Sequence, residues 1–284
     1  MIQCIIRLPI DKIKNISFTK INITFTQKLV ILNIKYFLIL FLILNTEFIY
    51  ANEAKVVHVF VALCDNKNQG IVPVPEKLGN GEDLENNLYW GARYGVKSFY
   101  KSEKDWKLIH SSLNINEFIL ERVVFWNHKK KTYLVADAYK GSKIKKSIEN
   151  LILSVKQIHI DSVQVYNPFF KKEILLQLAA NADLLAFVGH NGLMDFTVDL
   201  PFKRVENKKS IPIILLACYS KSYFSNQFKS NEIDPILWTN GLMAPEAYVL
   251  NAGLSSWLDN KNFTPFSSKH LFMKDSQSFF ALSL

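Results

Sequence analysis

The chain has 284 residues, 49% of them hydrophobic and 13% aromatic, with 10 glycines and a formal charge of +9. This composition excludes a disordered or collagenous chain and is enough for a sizeable core. The basic residues are scattered, apart from Lys129 to Lys131 and Lys143 to Lys146. No basic stripe interleaved with aromatics appears, so nothing points to nucleic acid.

The first stretch stands apart from the rest. Lys28 opens a basic flank, Tyr36 to Leu44 is an uninterrupted apolar run, and Ala51 follows as a small residue. That order predicts an export signal cut near Ala51, so that the mature chain starts near Asn52. The alternative is a retained membrane anchor, for which residues 29–44 must tolerate Asn33 and Lys35, where about 20 apolar residues are usual. Residues 1–27 read as an upstream extension. The expected organisation is an N-terminal extension and signal over 1–51, touching the membrane only transiently, and one domain over 52–284, periplasmic or extracellular. Six basic and two acidic residues lie in 1–51, so the remainder carries +5.

Val56 to Leu63 is apolar and β-branched, a buried strand ending on Cys64-Asp65. The loop 65–81 holds prolines and glycines and is long for a compact domain, which suits a functional loop. Glu82-Asp83 suits the start of a helix over Leu84 to Tyr100, with Leu88, Trp90, Tyr94 and Phe99 on its buried side. Phe118 to Phe125 and Thr132 to Tyr139 read as strands joined by a turn at 127–130. Gly141-Ser142 starts an amphipathic helix with Ile144, Ile148, Leu151 and Val155 at helical spacing. Pro168 in a first helical position predicts a second helix, Phe169 to Ala180.

Two apolar runs without polar alternation follow, 183–189 and 211–217, as expected of strands buried on both faces. The first ends on His190 and the second on Cys218. Between them Leu193 to Leu200 alternates like an exposed hairpin. A helix over 221–229, a short strand over 236–239 and a helix over 245–258 complete the pattern. Strands alternating with helices give one α/β domain with a mainly parallel sheet flanked by helices on both faces. Residues just beyond the carboxyl ends of such strands are where chemistry gathers. A Cys beside a His can pass it its proton and act as a nucleophile.

Val188-Gly189-His190 and Leu216-Ala217-Cys218, on consecutive strands, resemble the dyad motifs of the caspase-like cysteine peptidases, the group of caspases, metacaspases, legumains, gingipains and CHAT domains. In this chain Asn191 stands between the His and Gly192. The resemblance covers about residues 55–258 and implies a three-layer caspase-like sandwich with strand order 2-1-3-4. It implies His190 as general acid–base and Cys218 as the nucleophile that cleaves a peptide bond. It also implies an oxyanion site made by the backbone N–H of Cys218 and that of Gly192 or Asn191. Asp65 would line the first specificity pocket and favour a substrate Arg or Lys. The same strand order sets Cys64 and Cys218 roughly 10 Å apart, with the His190 strand between them, too far for a disulfide. Asp195 either orients the His190 ring or is a solvated loop acid. Trp238 either walls a substrate pocket or is a core aromatic. No cofactor is expected, and no close-spaced ligand pair supports a metal. The partner is a peptide or protein substrate. The competing reading is a non-catalytic secreted module that binds through the 65–81 loop.

Overall fold

A computed structural model of the chain describes residues 54–200, 210–229 and 232–259, besides Tyr36. The chain divides into two compact units, Met1–Asn52 and Glu53–Leu284. The expected export signal, apart from Tyr36, and the tail from 260 lie outside the described residues. Among the described residues, no helix is long and apolar enough to cross a membrane.

The second unit is built on a seven-stranded sheet. In chain order its elements are β1 (Lys55–Ala62), α1 (Val96–Ser102), β2 (Trp106–Leu113), β3 (Ile119–Asn127), β4 (Thr132–Tyr139) and α2 (Ile144–Val155). Then come β5 (Ile160–Asn167), β6 (Lys172–Ala179), β7 (Leu184–Val188), β8 (Ile211–Leu216), α3 (Ser220–Phe224), β9 (Ile233–Leu237) and α4 (Ala247–Leu258). The strand order is β2-β3-β4-β1-β7-β8-β9. β4, β1, β7, β8 and β9 run parallel, and β2 and β3 are antiparallel additions at one side.

The four apolar runs account for the middle of the sheet. β4 and β7 are buried at every position, and β1 at all but its first. Side chains alternate between two cores, because successive strand residues face opposite ways. Val57, Val59, Val61, Ala186, Val188, Ile214 and Leu216 meet Val96 and Tyr100 of α1 and Leu250 and Leu254 of α4. Phe60, Ala62, Leu185, Phe187, Ile213 and Leu215 meet Ile148, Leu151 and Ile152 of α2 and Phe224 of α3.

Four expectations need correction. The helix expected over 84–100 is confined to 96–102, and residues 84–95 wind as turns. A Cβ on Gly91 would lie 2.3 Å from the Glu85 carbonyl, and one on Gly95 2.4 Å from that of Trp90, so the chain doubles back too tightly for a helix. Trp90 is nonetheless fully buried.

The helix expected over 169–180 is instead the second strand of a hairpin, β5–β6. Pro168 sits in its turn, where the Asn167 side chain accepts the Phe169 N–H at 2.9 Å and Lys171 takes a positive φ of 52°. Leu176 and Leu178 point inward with Val165, onto Val124, Trp126, Tyr133 and Val135 of the large sheet. Leu175 is 57% exposed, and this misplaced apolar residue hides the two-residue period.

The hairpin expected at 193–200 is not formed. A single 3-10 turn spans Gly192–Met194, and no strand lies between it and residue 200. The alternation there comes from Phe196, Val198 and Leu200 packing onto the α2 side of the sheet. The helix expected over 221–229 is a five-residue turn of helix, Ser220–Phe224.

Candidate active site

The parallel register of β7 and β8 pairs Val188 with Leu216. Continuing it by two residues brings His190 level with Cys218. Beyond the strand ends the two are braced together. Gly189 N–H donates to the Leu216 carbonyl at 3.2 Å, and the Asn191 side-chain amide donates to the Cys218 carbonyl at 2.7 Å. Asn191 is fully buried and also accepts the Leu193 N–H, so it fixes the turn after His190 and the backbone of Cys218 at once.

His190 is 8% exposed, and Cys218 is half-buried and free. The His190 Nε2 lies 2.8 Å from Asp195 Oδ2, and the same oxygen accepts the Gly70 N–H at 2.9 Å. Asp195 is therefore hydrogen-bonded to the His190 ring, the first of the two placements open to it from sequence. The Cys218 Sγ lies 3.4 Å from both the N and the O of Met243, in the segment that follows β9. Tyr219, directly after Cys218, has a φ of 48°, a left-handed conformation unfavourable for a bulky residue. Its N–H donates to the Gly241 carbonyl at 2.8 Å, which helps hold that turn. Ser220 and Thr239 complete the brace, with Ser220 N–H on Thr239 Oγ1 at 3.0 Å and Thr239 N–H on Ser220 Oγ at 2.9 Å.

The remaining residues singled out from sequence have other occupations. The Gly192 N–H donates to the His190 carbonyl at 3.1 Å, closing a local turn rather than facing the thiol. Asp65 is buried, and its carboxylate accepts the Lys67 and Asn68 N–H groups and the Asn68 side-chain amide, all from its own loop. Trp238 packs half-buried against the α2-side core, with the Lys221 ammonium 5.9 Å from its ring centroid.

Cys64 is fully buried and unbridged. Burial pushes its thiol up to about 11, with Asp65 adding to that and the Tyr89 hydroxyl opposing it. Burial likewise raises Tyr89, and the thiols of Cys64 and Cys218 add to the shift. Among the described residues, no group of three His, Cys, Asp or Glu side chains is arranged to hold a metal. Sequence reasoning missed Asn191 as a brace, Asn87 and Met243. The Asn87 side chain, fully buried, accepts the Cys64 N–H at 3.1 Å and donates to the Cys64 carbonyl at 2.8 Å, fixing the end of β1. Nothing in the local sequence marks these contacts, which come from chain segments far apart.

Glu246, just before α4, is buried, and its Oε2 has no hydrogen-bond partner among the described residues. Desolvation raises its carboxyl, with Tyr248 opposing. A carboxyl raised by folding favours the protonated form. The penalty is absent below the unfolded value of about 4.3, grows as pH rises above it, and is complete once pH passes the raised folded value. Glu246→Gln is thus expected to stabilise the protein at pH 7 by about 1 kcal/mol, a rise in Tm of about 2–4 °C. The gain should vanish near pH 4, and thermal melts of both proteins at the two pH values measure it.

In comparisons with family models, with curated proteins and with solved structures, nothing matches this chain.

Proposed function

We propose that this chain is an exported caspase-like cysteine hydrolase that cleaves peptide bonds with His190 and Cys218. The observation that carries the reading is the pair of strand ends. His190 and Cys218 follow neighbouring parallel strands in the order β4-β1-β7-β8, which is 2-1-3-4 when the parallel strands are numbered along the chain. The two cores, one fed by α1 and α4 and the other by α2 and α3, support a three-layer arrangement. Export rests on the apolar run Tyr36 to Leu44 and Ala51.

In this mechanism His190 takes the Cys218 proton, and the thiolate attacks the scissile carbonyl. The main-chain N–H groups of Cys218 and Asn191 receive the oxyanion, His190 returns the proton to the leaving amine, and water hydrolyses the thioester. The Met243 N–H, 3.4 Å from the sulfur, is a donor suited to a thiolate. With Asp65 engaged in its own loop, the preference for Arg or Lys that it suggested forms no part of this reading.

The test is a pool of fluorogenic peptides varied before the scissile bond, incubated with the protein and with Cys218→Ala. Turnover by the parent and none by the variant is the expected outcome. Cleavage that survives Cys218→Ala refutes the mechanism. One observation favours the second reading, a non-catalytic binding module: the Gly192 N–H is engaged on the His190 carbonyl and offers nothing to an oxyanion.

A further inference from the structure

We propose that Asp195 is the positioning residue for His190, and that the 65–81 loop sets its place through the Gly70 amide. This rests on the reading of His190 as the base for Cys218.

One carboxylate oxygen, Asp195 Oδ2, receives two donors, the His190 ring at 2.8 Å and the Gly70 N–H at 2.9 Å. A carboxylate can only accept, so the ring proton resides on Nε2. That leaves the Nδ1 lone pair as the atom able to take a thiol proton. When it does, the imidazolium lies against a negative oxygen. Asp195 is 31% exposed at its side chain, so its contact with His190 is not sealed from water and needs a second anchor to hold its direction.

Gly70 is that anchor. A Cβ at residue 70 would lie 2.3 Å from Asp195 Oδ1 and 2.9 Å from its Cγ, so any side chain there would push the Asp195 carboxylate out of its place. The loop is in turn rigidly rooted. Asp65 gathers the N–H groups of residues 67 and 68, and Gln69 Nε2 donates to the carbonyls of Leu63 at 2.8 Å and Gly141 at 3.0 Å. The direction of the His190 ring is therefore inherited from the end of β1 through Asp65, Gln69, Gly70 and Asp195. Anything that displaces this loop releases Asp195 and, with it, the tautomer of His190.

The experiment uses the full chain labelled with 15N-histidine and three variants, Asp195→Ala, Asp195→Asn and Gly70→Ala. The ring nitrogens of His190 are read by NMR, the alkylation rate of Cys218 by iodoacetamide at pH 7 is measured, and Tm is recorded. In the parent the neutral ring should carry its proton on Nε2. Asp195→Ala should give a mixture of tautomers and an alkylation rate about tenfold lower. Asp195→Asn, whose side-chain oxygen can still accept both donors, should restore the tautomer and part of the rate. Gly70→Ala should give the same mixture as Asp195→Ala with the carboxylate intact. An unchanged tautomer in Asp195→Ala overturns the positioning role, even if Tm falls, and an unchanged tautomer in Gly70→Ala overturns the role of the loop. A tautomer that responds while alkylation of Cys218 does not change upholds the positioning and rejects the hydrolase reading.

Discussion

Arg122→Leu should destabilise the protein by about 3–5 kcal/mol, the usual cost of stripping one partner from a buried ion pair. Arg122 is 4% exposed and lies across the fully buried Asp137, Nε to Oδ1 at 2.6 Å and Nη2 to Oδ2 at 2.7 Å. The same Nη2 reaches Asp161 of β5 at 2.6 Å, so one guanidinium ties the hairpin to the sheet. His58 Nε2 lies 3.0 Å from Asp137, while its Nδ1 accepts the Ala179 N–H of β6 at 3.1 Å. Burial alone would raise Asp137, but the Arg122 guanidinium and the His58 ring hold it at about 2. A depressed carboxyl contributes stability above its unfolded value, about 3.9, and loses that contribution as pH falls towards 2. The loss in Arg122→Leu should therefore be full at pH 7 and shrink in strong acid. Urea denaturation measures it as a midpoint lowered by about 1–3 M. Arg122→Leu combined with Asp137→Leu should recover part of it, because no charge is then left unpaired. A midpoint unchanged in the single variant would refute the argument.

His190→Ala should slow the alkylation of Cys218 at pH 7 at least about tenfold and hydrolysis by about 10²-fold or more, the range of general acid–base assistance. His190 and Cys218 follow the ends of neighbouring strands, with Asn191 bridging to the Cys218 carbonyl at 2.7 Å. Cys64 is the internal control. It is fully buried and its thiol is pushed up to about 11, so it should stay unlabelled in the parent and in the variant. Mass mapping of the Cys218 peptide over time gives the rate. Equal rates in parent and His190→Ala would detach the histidine from the cysteine and favour a binding role for this face.

The centre of the sheet was legible in the sequence because strands buried on both faces leave an unmistakable run. Residues 184–189 and 211–217 have no polar interruption, as expected of strands buried on both faces. The elements at its margins were not legible. Residues 84–95 hold apolar side chains at helical intervals, yet Gly91 and Gly95 let the backbone fold onto itself and Asn87 anchors it to Cys64. Pro168 is equally at home in a helix start and in a hairpin turn, and only the inward pair Leu176 and Leu178 separates the two. For the site, His190 and Cys218 stood out by type and position. Asp195 could be named but not placed, since the oxygen that meets His190 also takes the N–H of Gly70, 125 residues earlier in the chain. Asp65 looked like a pocket acid because sequence cannot show which way a loop carboxylate turns.

The two rims of the large sheet are unlike each other. β9, at one rim, is five residues long and carries the exposed Pro235, which has no N–H to lend to a further strand. β2, at the other, is eight residues long and pairs only with β3 among the described strands. Among the described strands, the rim at β2 is thus the one better suited to pairing with a further strand. Two molecules meeting strand to strand at β2 would exhaust each other's open backbone, and assembly of that kind would end at a closed pair.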